Sequence, residues 1–266
     1  MKASELILDL LRTYGRHGTS VRQIAESGAL FGFTANSIRV NLSRLVRKGA
    51  IELLQRGQYR LCESAAAVND FAESWRLGEQ RVKPWDEANW SCIHTVKHND
   101  KDKWALTNLG YRAIKPDFWV RPDNLSTPSE NLLGKLHSLG LSRSSVMISN
   151  GQLTADLQDQ WISHFDLQQI ETAYLDTIQA LQDSLRRIEQ LPRNAARKET
   201  FALGGRGIEI LAKDPLIPER YLSSSKRKQL WEVLIRYDAA GRKVWATQDQ
   251  PMPEALVTPN SKLMSN

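Results

Sequence analysis

Hydrophobic positions recur at helical spacing along most of the chain and alternate in only a few short runs. Near the start, Leu6, Ile7, Leu10 and Leu11 form an i, i+1, i+4, i+5 stripe, which predicts a helix over residues 4–14. Ser20 and Gln23 have the spacing of a capping box and open a second helix. That helix turns Val21, Ile24 and Ala25 inward, with Gly28 placed to stop it. The third helix lies in the stretch TANSIRVNLSRLVRKGAIELLQRGQYRL at 34–61. There Ile38, Leu42, Leu45 and Val46 share one side with Ala35, while Asn36, Ser37, Val40, Ser43, Arg44 and Arg47 share the other. Thr34 is its N-cap and Gly49 its terminator. Short strands at 51–54 and 58–61 flank a turn at Arg56-Gly57 and predict a hairpin. Three short helices and a hairpin, in that order, predict a winged helix-turn-helix over residues 1–62.

Beyond it the texture changes. Residues 63–88 read as a connector, with a helix over 64–77 carrying Phe71 and Trp75. Residues 89–165 alternate strands (90–96, 118–120, 145–149) with helices (101–111, 129–139), and Pro122 breaks the middle strand. This β-α-β-α-β order suggests a ferredoxin-like α/β sandwich with one strand unaccounted for. Residues 166–248 form a helical region. Leu167, Ile170, Tyr174, Ile178, Leu181, Leu185, Ile188 and Leu191 step by three or four, as a core-facing helix or a coiled-coil contact would require. A further helix over 195–213 is interrupted by Gly204-Gly205-Arg206-Gly207. A two-proline loop precedes a last helix over 225–237, and residues 249–266 read as a mobile tail. The fold class expected is α+β.

Charge alters how this outline reads. The chain of 266 residues carries a net +6, and residues 1–60 hold ten Lys/Arg against four Asp/Glu. The remainder holds 26 of each sign, so the excess coincides with the winged-helix pattern, as phosphate binding would require. Cys62 and Cys92 are the only cysteines, which argues against a disulfide scaffold or zinc site and suits a reducing cytoplasm. No apolar run approaches the ~20 residues of a membrane span, and no signal-peptide pattern opens the chain.

These observations assign Asn36, Ser37, Val40 and Arg44 to reading base edges, with Ser43 and Arg47 reaching bases or phosphate. Arg39, Arg56 and Arg22 suit the DNA backbone. No Gly-rich phosphate loop, HExxH or GxSxG motif is present, so neither an enzyme nor a cofactor is expected. The rival reading is a metal-dependent nuclease of the central domain, but His94 and His98 do not make a metal site by spacing alone. Arg121-Pro122-Asp123-Asn124 reads as a Pro-initiated turn, or as a buried Arg121 paired with a carboxylate, in a structural or interface role. The glycine run could present N–H groups and Arg206 to an anion such as a CoA phosphate, or be a plain inter-helix loop. Trp90, Trp104, Trp119 and Trp161 are expected in cores or interfaces.

Four stretches carry a resemblance: NSIRVNLSRLV at 36–46, QYRL at 58–61, FWVRPDNL at 118–125 and KDPLIP at 213–218. With these the chain resembles the PaaX family of bacterial transcriptional regulators over most of its length. The resemblance implies a winged helix, a central ferredoxin-like domain related to a small CRISPR-associated nuclease, and a C-terminal helical domain. It further implies a homodimeric repressor of a catabolic operon, bound to a double-stranded operator and released by an acyl-CoA effector, phenylacetyl-CoA in the namesake. Where the family commonly has Trp-Pro-Gly, this chain has SSSK at 223–226.

Overall fold

The computed structural model describes residues 2–14, 17–96 and 99–246, apart from the side chains of 63–66. His98 and the expected tail at 249–266 lie outside the described residues. The fold mixes helix with two antiparallel sheets, and the chain divides into two compact units. The first unit comprises residues 1–71, 185–202 and 238–266, and the second comprises 72–184 and 203–237.

In the first unit, helices α1 (Ala3–Tyr14), α2 (Val21–Leu30) and α3 (Ala35–Arg47) close over one core. Leu6, Ile7, Leu11, Ile24, Ile38 and Leu42 are almost wholly buried there. The Ser20–Gln23 capping box forms on α2. Gly28 does not stop that helix. It lies inside α2, where an added Cβ would come 2.8 Å from Ile38 Cδ1, so its missing side chain lets α2 and α3 meet. Two expectations for α3 are corrected: Val46 and Ala35 are exposed, and the buried stripe is Ile38, Leu42 and Leu45. Val46 falls ~70° from the centre of that stripe at ~100° per residue, which puts it on the flank.

Strands β2 (Ile51–Gln55) and β3 (Gln58–Leu61) form the expected hairpin. A third strand, β1 (Thr19–Ser20), pairs with the free side of β3, in the order β1-β3-β2. Gly18 makes this approach possible, because a Cβ there would lie 2.3 Å from the Tyr59 carbonyl oxygen and its φ is +62°.

The second unit begins as α4 (Glu63–Glu73) gives way to a 3-10 helix over Ser74–Arg81. Its sheet contains β4 (Trp90–His94), β5 (Arg112–Lys115), β6 (Phe118–Pro122) and β7 (Val146–Gly151), in the order β5-β6-β4-β7. Helix α5 (Asp100–Asn108) joins β4 to β5, and α6 (Ser129–Ser138) joins β6 to β7. The strand missing from the pattern is β5. Pro122 does not break β6 but stands in register with Trp90 at its end. An unexpected helix, α7 (Ala155–Ile162), packs the buried Trp161 against Trp90, Cys92, Ile114, Val120 and Ile217. Trp104 is exposed, contrary to expectation.

Three long helices follow: α8 (Leu167–Arg187), α9 (Arg193–Ala212) and α10 (Ser225–Trp245). The expected break at 204–207 is absent, and α9 runs through all three glycines. A Cβ at Gly207 would lie 2.8 Å from Leu234 Cδ1, so this glycine is a place of close helix approach, not a loop. Helix α10 also extends well past Tyr237, to Trp245.

Candidate nucleic-acid interface

Helix α3 is set by its ends and its buried face. Thr34 Oγ1 accepts from the Ser37 N–H at 3.1 Å, which fixes the first turn, and Ile38, Leu42 and Leu45 anchor the inner side. The outer side is then determined. At ~100° and ~1.5 Å per residue, Asn36, Val40, Ser43 and Arg47 fall within ~60° of one another along ~16 Å of axis, with Arg44 beside them and Arg39 on the opposite flank. All six are exposed, and Ser37 is half-buried. Asn41 turns back to donate to the Ser37 carbonyl at 2.9 Å and so leaves the outer face to its neighbours.

Ion pairs separate the described arginines of residues 2–62 into two groups. Arg12 pairs with Asp9, Arg22 with Glu26 at 2.8 Å, and Arg60 with Glu52 across the hairpin. Among the described residues, Arg39, Arg44, Arg47 and Arg56 have no side-chain hydrogen bond or ion pair. Lys48, at the C-cap of α3, is exposed and equally unpaired, and it was not among the residues assigned from sequence. Its adjacency to Arg47 was the signal. Arg56 stands at the hairpin turn, next to exposed Leu53 and Leu54 on β2. The arrangement is an exposed face of short side chains edged by cations that no protein carboxylate neutralises. Arg22 is the weakest of the assigned positions, because Glu26 already shares its charge.

The other sequence-predicted positions gather in the second unit. Arg121 is fully buried without a carboxylate in contact; it donates to the carbonyls of Leu109 and Pro122 and, from Nη2, to Asn124 Oδ1 at 2.7 Å. Burial pulls its pKa down to about 10, which still leaves it charged near neutrality. Asn124 Nδ2 donates to the Leu216 carbonyl at 2.8 Å, so the RPDN and KDPLIP stretches meet. Beside them lies a cleft of about 410 Å³ whose lining includes Val82, Trp85, Ile217, Pro218, Arg220 and Arg227. Arg206 is exposed on α9, away from any glycine loop, since none exists. His94 is exposed at the end of β4, and no group of three or more His, Cys, Asp or Glu among the described residues could hold a metal ion. No described helix is long and apolar enough to cross a membrane.

No protein-family model matches the chain, and no curated protein is similar to it. Among solved structures it is similar to the uncharacterised protein Rv0674 of Mycobacterium tuberculosis, with a TM-score of 0.55 and 17% identity. The alignment covers 92% of this chain and 99% of that one. At such low identity the likeness concerns the fold alone.

Proposed function

We propose that this chain is a sequence-specific DNA-binding transcriptional repressor. The observation that carries this reading is the division of the cations. Among the described arginines of residues 2–62, Arg12, Arg22 and Arg60 are spent on nearby carboxylates, whereas Arg39, Arg44, Arg47 and Arg56, with Lys48, are left unpaired on the outer side of α3 and at the hairpin turn. Such a face suits a major groove, with the hairpin as a wing on the phosphates. The α1-β1-α2-α3-β2-β3 order supports a winged helix-turn-helix. The β4-α5-β5-β6-α6-β7 order supports a ferredoxin-like central domain. In this reading Asn36, Ser37, Val40 and Arg44 read bases, Ser43 and Arg47 assist, and Arg39 and Arg56 hold phosphate.

By its resemblance to PaaX regulators, the repressor acts as a homodimer on an inverted repeat with half-sites ~34 Å apart and leaves DNA when an acyl-CoA binds. The cleft beside Trp85 is where such a ligand would sit, having an apolar wall and a volume usual for ligand sites, although its Arg220 and Arg227 already pair with Glu87 and Glu79. The test begins by selecting duplexes from a random pool and measuring Arg44→Ala on the enriched sequence. A base-reading arginine predicts a loss of ~1–3 kcal/mol with relaxed preference at one position. If the parent enriches no sequence, or Arg44→Ala binds the enriched duplex as the parent does, the reading fails.

A further inference from the structure

The unit that carries α3 is built from three separate stretches of chain, and two of them lie far beyond residue 62. Phe201 and Trp245 pack against the same core that buries Ile24 and Ile38. The Phe201 ring meets Phe31 with centroids 5.1 Å apart, at 55°. Phe31 is the C-cap of α2 and opens the Gly32-Phe33-Thr34 turn from which α3 starts. Behind Phe201, Trp245 lies 6.1 Å away and donates its indole N–H to Thr200 Oγ1 at 3.2 Å. Arg197 stacks over the Trp245 ring at 5.5 Å and donates to the Val244 and Trp245 carbonyls, while Arg193 donates to the Ala246 carbonyl at 2.5 Å. Two guanidinium groups thus close the C-terminal end of α10, where unpaired carbonyls and the helix dipole favour positive charge. An end fastened by three rings and two arginines is a support, not a fraying terminus.

We infer that Phe201 and Trp245 are positioning residues for the candidate interface: they hold the Phe31–Thr34 turn and thereby set the direction in which α3 presents its outer face. The inference deepens the DNA-binding reading and rests on it for its functional consequence. Reading base edges demands that α3 enter a groove at a fixed angle, whereas phosphate attraction tolerates a loosened helix. Loss of the support should therefore cost discrimination before it costs charge-driven binding.

The test uses the full chain with Phe201→Ala, Phe201→Leu and Trp245→Phe. Amide hydrogen exchange is followed over residues 31–47, together with affinity for an enriched duplex and for a scrambled duplex of the same composition. Phe201→Ala should speed exchange over 31–38 and lower the enriched-to-scrambled affinity ratio by about tenfold. The salt dependence on the scrambled duplex should be unchanged, and Phe201→Leu should recover most of the ratio. Should Phe201→Ala not fold, Trp245→Phe keeps a ring but loses the bond to Thr200, and the same readouts should move in the same direction. Parent-like exchange over 31–38 in the folded variants, or an unchanged ratio, overturns the inference. If the parent itself enriches no duplex, the DNA-binding reading fails, while the exchange data still decide whether these residues position α3.

Discussion

One amide, Asn124, joins stretches 92 residues apart. Its Oδ1 takes a hydrogen bond from the buried Arg121, its Nδ2 gives one to Leu216, and its own carbonyl accepts from the Lys83 N–H at 2.9 Å. Leu216 is held at φ +54°, a conformation a branched side chain seldom adopts, so the bond at its carbonyl has strain to oppose. Asn124→Ala strips one acceptor from a buried cation and one donor from a buried carbonyl. A loss of ~2–4 kcal/mol is expected from two orphaned partners at ~1–3 kcal/mol each with partial relaxation, read by urea denaturation. Asn124→Asp keeps an acceptor for Arg121 and loses only the donor to Leu216, so its loss should be smaller. Equal losses would mean that the Arg121 contact contributes little.

At the scale of elements, the glycine run of α9 shows both what the sequence pattern discloses and what it hides. Glycine is ~1 kcal/mol poorer than alanine in a helix, and three in four positions read as a break. The structure continues the helix because Gly207 lies under Leu234, so packing outweighs propensity. This distinction can be measured. A Cβ at Gly205 meets nothing within 4 Å, so Gly205→Ala should stabilise by ~0.5–1 kcal/mol through helix propensity. Gly207→Ala should instead destabilise, by ~1–3 kcal/mol, because the new methyl overpacks Leu234. If 204–207 were a loop, neither substitution would behave this way in thermal denaturation. The same contrast explains the other discrepancies. Helices α1 and α3 were legible because each buries a periodic apolar stripe. Strand β5 was not, since Arg112 and Lys115 bound a four-residue strand with one fully buried side chain, Ile114. Helix α7 was hidden because its sole fully buried residue is Trp161. The exposed outer side of α3 was legible residue by residue, apart from the half-buried Ser37. Its support, Phe201 and Trp245, was not, because no local pattern announces a contact across 170 residues of chain.

Across the whole molecule, charge follows the folded units and not the order of the chain. The first unit holds 18 basic and 11 acidic residues, and the second holds 18 and 19, so nets of +7 and −1 replace the even balance read after residue 60. Not all of that excess is free to meet phosphate. Arg187 pairs with Glu199 and Arg242 with Asp238, and Arg193 and Arg197 donate to the carbonyls that end α10. In the proposed reading, the five unpaired cations clustered on α3 and the hairpin turn are the ones that displace counterions. With a slope of ~0.9 per neutralised phosphate, scrambled duplex DNA should be bound with a log–log salt slope of about −4 to −5 per chain. Arg56→Gln should shift that slope by about one unit. Arg197→Gln should leave it unchanged, although it removes a cation from the same unit, and should lower the melting temperature because the α10 end loses its cap. If Arg197→Gln instead shifts the slope as Arg56→Gln does, that guanidinium contacts phosphate, and the interface extends onto the C-terminal helices.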